Sequence, residues 1–143
     1  VIFTMFLLYK YCPDKYKKVK KTVLVSLVIA YIIFFAYPTK IIRPEVNSFN
    51  DLFSLIAYIS FKADNPVNCF PSCHCLLSFI MIYALFKEKN INKYLRITLI
   101  ILFFMIIAST LLVKQHVIAD VIGAFVISIF TAFIFPKLKG RLS

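Results

Sequence analysis

The chain has 143 residues, 62% of them hydrophobic, and carries 17 lysines and arginines against 6 acidic residues, a formal net charge of +11. The hydrophobic residues form long runs, which excludes an ordinary soluble domain and indicates an all-α integral membrane protein. The positive charge lies in short segments between the runs, which suits membrane topology and anionic lipid headgroups, and nucleic acid is excluded as a partner because no basic soluble module exists to bind it.

Five apolar runs follow one another along the chain, and a membrane-crossing helix needs about 20 such residues. The runs are Val1–Tyr9, Thr22–Tyr37, Phe70–Phe86, Ile97–Val113 and Val117–Phe135. The sequence therefore predicts one polytopic helical bundle over residues 1–143, with about five spans. Because the chain opens on Val within a short run, we expect the rest of that helix to precede it. A signal peptide is less favoured, since the basic residues follow this run.

The connections between the runs carry clear start and stop signals. Lys10–Lys21 is predicted to be a cytoplasmic loop, and Pro38 is predicted to stop the helix that follows it. Asp51 can cap a short helix that runs to about Phe61. A helix of that length is too short to span, so we expect it to lie at the interface or under the loop.

The distribution of basic residues predicts how the bundle is oriented in a cell membrane. Lys10–Lys21, Lys87–Arg96 and the tail from Lys137 are strongly basic and fall on one side if each run spans once. Basic loops stay in the cytoplasm. The sequence therefore places Pro38–Cys69 and the turn near Lys114 on the extracytoplasmic side.

Ionisable and hydroxyl side chains cluster at the outer ends of these apolar runs, where such groups usually mark function. The two histidines of the chain, His74 and His116, are both among them. His116 and Asp120 are four residues apart, so on a helix they share one face. The carboxylate can then accept from one imidazole nitrogen and leave the other free as a nucleophile. Ser72 opens the first turn of a helix, where backbone N–H groups suit a phosphate.

These residues resemble the type 2 phosphatidic acid phosphatase superfamily, which has a three-part signature. The central part, Pro-Ser-x-His, is matched by Pro71–His74. The third part is Ser-Arg, five residues, His, three residues, Asp. Ser109, His116 and Asp120 fit its spacing, but Thr110 stands where the arginine is expected.

The first part of the signature is Lys, six residues, Arg-Pro, and it is matched incompletely. Arg43 and Pro44 fit, but Ala36 stands at the lysine position and Lys40 lies nearby. These departures, with the sequence Lys114-Gln115-His116, favour the inositol phosphotransferase-like branch related to inositol phosphorylceramide synthases. The resemblance covers residues 38–135, which would be the catalytic part of the chain.

The resemblance implies a phosphoryl transfer on a lipid phosphate that needs no metal or other cofactor. His116 would attack phosphorus and form a phosphohistidine, Asp120 would orient it, and His74 would protonate the leaving oxygen. The acceptor would be water in a lipid phosphatase, or a lipid alcohol in a phosphotransferase. The residues expected to hold the phosphate are Ser72, Arg43, Lys40, Lys114 and Ser109.

Other interpretations of the same residues stay open at this point. Asp120 could pair with a cation on another helix, and His116 could be an inert interfacial residue. Cys69, Cys73 and Cys75 flank His74, which raises a zinc site or a disulfide between Cys69 and Cys73, but small apolar fillers are preferred. A non-catalytic phospholipid-binding protein is the alternative of another class, with Thr110 and Ala36 as signs of decay.

Overall fold

The structure, a computed structural model, describes residues 1–42, 52–63, 67–86 and 88–134. Six α-helices and a terminal π-helix make up most of these ranges. They are α1 (Ile2–Tyr11), α2 (Pro13–Ala36), α3 (Leu52–Ala63), α4 (Cys73–Phe86), α5 (Lys93–Leu112), α6 (Ile118–Ile129) and the π-helix (Phe130–Ile134). Within the same ranges there is no β-strand, only an isolated bridge between Lys40 and Val67. The predicted all-α class is therefore confirmed over the described residues.

Two helices, α2 and α5, are long and apolar enough to cross a membrane, judged by length and composition. At about 1.5 Å per residue, the 24 residues of α2 and the 20 of α5 reach or exceed the roughly 30 Å thickness of a bilayer's hydrocarbon core. The other apolar helices, α1, α4 and α6 with the π-helix, are shorter. A bundle of five spans therefore remains a prediction.

The segment predicted to be a loop, Lys10–Lys21, is mostly helical, because α2 begins at Pro13. Proline is favoured at the first helical position, and Asp14 in the first turn complements the positive end of the helix. Lysine is a good helix former, so the basic residues that follow extend the helix. The other end agrees with the prediction, since α2 ends at Ala36, just before Pro38.

The core of the bundle is built around α4, which packs against α2, α5 and α6. Seven α4 side chains are almost completely buried: Cys75, Leu76, Ser78, Ile80, Met81, Ala84 and Leu85. A helix buried on so many sides must be apolar almost all round, as this one is. Its central place fixes where its first turn, which carries His74, lies relative to the ends of its neighbours.

Hydrogen bonds show which helix ends lie together at the histidine end of the bundle. The Ser72 N–H donates to the Asp120 carbonyl over 3.3 Å, which joins the starts of α4 and α6. The Asn68 N–H donates to the Thr39 carbonyl over 2.6 Å, and the Phe70 N–H donates to the Thr39 hydroxyl over 2.9 Å. The segment after α2 is thereby joined to the segment before α4.

Polar contacts also join the chain at the opposite end. The Lys15 ammonium lies 3.2 Å from the Glu88 carboxylate, and the Arg96 guanidinium donates to the Glu88 carbonyl. The lysine-rich start of α2 therefore meets the basic segment between α4 and α5. Both lie at the end of the bundle away from His74 and His116.

Candidate active site

His116 and Asp120 form a buried pair at the start of α6. The His116 Nδ1 lies 3.1 Å from the Asp120 Oδ2, and the Val117 N–H donates to the same carboxylate oxygen over 3.1 Å. Asp120 is the third residue of the helix, where a carboxylate can satisfy a backbone N–H left free at the helix start. The side chains are only 7% and 5% exposed, so water screens their interaction weakly.

This geometry defines the chemical state of the His116 ring. A carboxylate only accepts hydrogen bonds, so the proton between the two side chains belongs to Nδ1. The Nε2 atom then keeps its lone pair and can act as a base or a nucleophile. Asp120 also stabilises the positive charge that the ring would gain when it reacts. The pair is therefore suited to nucleophilic catalysis.

The turn between α5 and α6 directs His116 back toward the bundle. The Thr110 carbonyl accepts the N–H groups of both Gln115 and His116, at 3.0 and 3.1 Å. Lys114 has a positive φ of 55°, which lets the chain reverse over a few residues. Its side chain is exposed on this turn, two residues from His116.

Thr110, at the position where the signature has an arginine, is built into the core. It is 2% exposed, and its hydroxyl donates to the Ile107 carbonyl over 2.8 Å. The same hydroxyl lies 3.5 Å from the Cys75 sulfur on α4. A small polar side chain therefore joins α5 to α4 here, and no cation is supplied from this position.

His74 lies on the first turn of α4 and faces His116. Their ring centroids are 6.1 Å apart with a tilt of 53°, and His74 is exposed where His116 is buried. Ser72 directly precedes the helix and is fully buried, and its hydroxyl accepts the Cys75 N–H over 3.4 Å. We expected Ser72 within the first turn, whereas it caps the helix.

Ser109, Lys40 and Arg43 are the remaining predicted phosphate ligands, and the first two are exposed in the structure. Ser109 is exposed, and its hydroxyl donates to the Ile106 carbonyl of its own helix over 2.8 Å. Lys40 is exposed in the bridge with Val67, in the segment joined to the start of α4. Arg43 lies outside the described residues.

A contact between Phe70 and Gly123 supports the site and was missed in the sequence. A Cβ atom on Gly123 would lie 2.5 Å from Cε2 and 2.7 Å from Cζ of the Phe70 ring, so only glycine leaves room for it. Gly123 is one turn beyond Asp120, and Phe70 lies two residues before Ser72. Glycine is rare in this chain, which has only two, and this rarity could have drawn attention to Gly123.

The cysteines near His74 form no disulfide within the part of the chain that the structure describes. Cys69 and Cys75 are buried and Cys73 is half-buried. Among residues 1–42, 52–63, 67–86 and 88–134, no group of three or more His, Cys, Asp or Glu side chains is placed to hold a metal ion.

An apolar cleft of about 360 Å³ lies alongside the two helices whose first turns form this site. Its walls come from α4, α5, α6 and the π-helix, with aromatic side chains prominent among them. These aromatic residues are Phe79, Tyr83, Phe86, Phe104, Phe125 and Phe133. The Phe79 and Phe125 rings meet edge to face at 5.1 Å across α4 and α6. The cleft is suited to hydrocarbon.

A family model described as the PAP2 superfamily matches residues 1–134 of this chain. No curated protein and no solved structure matches it.

Proposed function

The chain belongs to the PAP2 superfamily, and from this membership we propose that it is a membrane lipid phosphatase acting through a phosphohistidine. Members of the superfamily are generally phosphoesterases that act on phosphorylated lipids, so phosphatase-type activity is the coarse expectation for the chain. The substrate in this proposal is a phospholipid or a polyprenyl mono- or diphosphate. The observation that carries it is the buried His116–Asp120 pair facing His74 at 6.1 Å.

The proposed reaction proceeds in two displacements at phosphorus. The His116 Nε2 attacks phosphorus and forms a P–N bond, while the bond to the leaving oxygen breaks and His74 gives that oxygen a proton. Water then attacks the phosphohistidine, His74 takes a proton from it, and inorganic phosphate leaves as His116 is regenerated. Phosphoryl transfer depends mostly on positioning and charge stabilisation, which protein groups alone can supply. No metal takes part.

The phosphate oxygens would be held by the start of α4 and by nearby cations. The first turn of a helix presents N–H groups that have no partner within the helix, and a helix start favours an anion. Because Thr110 and Ala36 replace the signature's cations, we assign the missing charge to Lys114 and Lys40. Ser72, Arg43 and Ser109 complete the proposed set of ligands.

The proposed location is the cell membrane, with the site at its extracytoplasmic face. Two helices have the length and composition of spans, and the lysine-rich segments meet at the end away from the histidines. Basic segments remain in the cytoplasm, which would turn the histidine end outward. The cleft along α4 and α6 gives a lipid chain an apolar surface beneath the site.

A lipid phosphotransferase is the second candidate, and Thr110 favours it. Thr110 and the sequence Lys114-Gln115-His116 favour the inositol phosphotransferase-like branch. In that reaction a lipid alcohol would replace water and receive the phosphoryl-bearing headgroup. The same His116, Asp120 and His74 would take part.

A non-catalytic phospholipid-binding protein is the alternative of another class. Loss of the two signature cations at Thr110 and Ala36 is what motivates it. The ordered His116–Asp120 pair argues against it, because headgroup binding alone does not need a nucleophile with a fixed tautomer.

The proposal is tested by phosphate release from phosphatidic acid and from undecaprenyl diphosphate in detergent with excess EDTA. Release that survives EDTA and is lost in His116→Ala is expected, together with a radiolabelled phosphohistidine trapped only on the unaltered protein. Release abolished by EDTA would overturn the metal-independent mechanism. An adduct without release on either lipid would favour the transferase, and neither adduct nor release across a broad lipid panel would favour the binder.

A further inference from the structure

The short helix α3 carries one continuous stripe of exposed apolar side chains. Leu52, Leu55, Ile56 and Ile59 are 67%, 42%, 51% and 57% exposed. Their spacing of three, one and three residues places all four on one side of a helix. Apolar side chains gain free energy when they leave water, so a face of this kind is costly to leave exposed to it.

The opposite side of α3 is turned toward the rest of the chain. Ser54 and Phe61, which lie on that side, are half-buried. The main helix–helix contacts of the described residues join α1, α2, α4, α5, α6 and the π-helix, and α3 takes no part in them. The stripe therefore faces away from the packed bundle.

The length of α3 excludes a crossing of the membrane. Its 12 residues extend about 18 Å, well short of the roughly 30 Å hydrocarbon core. A helix that is apolar on one side and too short to span is suited to lie in the plane of the membrane interface.

After α3 the chain returns to the end of α2. Val67, four residues past the end of α3, forms the bridge with Lys40, which follows the end of the span candidate α2. Phe35 and Tyr37 at that end of α2 are exposed as well. Because a spanning helix ends at the edge of the hydrocarbon core, that edge is the apolar medium that the α3 stripe would meet.

The polar side chains at the end of α3 suit the headgroup region of a membrane. The Lys62 ammonium lies 5.6 Å from the Tyr58 ring centroid, at the last turn of the helix. Tyrosine and lysine are typical of the headgroup region, where an aromatic ring and a cation meet apolar and polar surroundings together.

We propose that α3 is an interfacial helix whose Leu52, Leu55, Ile56 and Ile59 stripe binds the lipid bilayer at the leaflet nearest His74 and His116. The inference rests on the membrane location in the proposed function and is independent of its chemistry. By holding the segment before α4 at the bilayer surface, α3 would set the level at which a lipid headgroup meets the site.

The test uses the fact that the chain has no tryptophan, so one introduced residue is the sole indole. Ile56→Trp places it on the stripe, Ile59→Trp repeats the position one turn later, and Phe61→Trp is the matched control on the half-buried opposite side. Each full-length variant is reconstituted into vesicles whose lipids carry bromine either near the glycerol or near the chain end.

We expect the Ile56→Trp and Ile59→Trp emission to be quenched several times more strongly by the shallow bromines than by the deep ones. The Phe61→Trp emission should be quenched weakly by both. Equal quenching of stripe and control variants would overturn the proposal and indicate a protein cover, either a second copy or another segment. Strongest quenching by deep bromines would also overturn it. Loss of phosphate release with this quenching pattern intact would count against the proposed chemistry alone.

Discussion

The imidazole rings of His74 and His116 face each other with 6.1 Å between their centroids, although they belong to different segments of the bundle. The His116 Nδ1 is occupied by Asp120, so its reactive nitrogen is Nε2. A phosphoryl group between the rings would meet a nucleophile from one ring and a proton donor from the other. The two histidines therefore have different roles, which separate experiments can distinguish.

The role of His74 as proton donor predicts a dependence on the leaving group. His74→Ala should lower lipid phosphate hydrolysis by about 10²–10⁴-fold, the usual contribution of general acid catalysis. A p-nitrophenyl phosphate ester, whose leaving group needs no proton, should be hydrolysed much closer to the unaltered rate. His116→Ala is the control, since loss of the nucleophile should abolish both reactions. An equal loss on both substrates in His74→Ala would contradict this role.

Lys114 is predicted to supply part of the charge that Thr110 does not. Its exposed side chain lies on the turn beside His116, so Lys114→Ala should reduce turnover on the order of 10²-fold, as for other groups that stabilise developing charge. Lys114→Arg should retain most of the activity. Lys89→Ala removes the same charge at the other end of the bundle and should leave turnover unchanged. Turnover is compared from initial rates at saturating substrate. Unaltered turnover in Lys114→Ala would refute the predicted role of Lys114.

The Phe70–Gly123 contact predicts that a single methyl group at position 123 disturbs the site. Gly123→Ala should destabilise the protein by about 1–3 kcal/mol, the usual cost of overpacking, and should also lower turnover. Phe70→Leu shortens the reach of the opposing side chain, so it should restore part of both properties in the double variant. Thermal unfolding and phosphate release of all four proteins form a double-mutant cycle. Simple additivity would show that the contact does not couple the two residues.

Glu88 predicts a loss of stability in acid. Burial raises the pKa of its carboxyl, but hydrogen bonds from the Asn90 N–H, Lys15 and Cys12 outweigh it and hold the pKa below the usual 4.5. A carboxyl with a lower pKa in the folded state stabilises the fold above its unfolded pKa. This stability is lost as the pH falls from about 4.5 through the folded pKa.

Melting temperatures measured against pH check this prediction. Glu88→Gln should remove part of the acid-dependent decrease and lower the melting temperature at neutral pH. Asp14→Asn is the matched control, because its carboxyl is 94% exposed and lies 3.9 Å from the Lys17 ammonium. Exposed pairs of this kind contribute little. Identical pH profiles for Glu88→Gln and the unaltered protein would refute the prediction.

Several features could be predicted from the sequence because they depend on neighbours along the chain. Long apolar runs predict helices, Pro38 predicts the end of α2, and the spacing of His116 and Asp120 predicts that they can pair. The loop predicted at Lys10–Lys21 is wrong, because charge alone does not distinguish a basic loop from the basic start of a helix. The helix propensity of the lysines, with Pro13 and Asp14 at the helix start, decides that segment instead.

Local sequence alone predicts the helices, the strongly apolar character, the family signature and a His–Asp pair built from one local turn. The folded structure was needed to show that His74 faces His116, that Ser72 caps α4, and that Thr110 is buried against Cys75. The physical reason is that helical periodicity is a local property, whereas the approach of two helix ends depends on packing. Here α4 is enclosed by α2, α5 and α6, and the Ser72–Asp120 hydrogen bond joins the ends that carry the site.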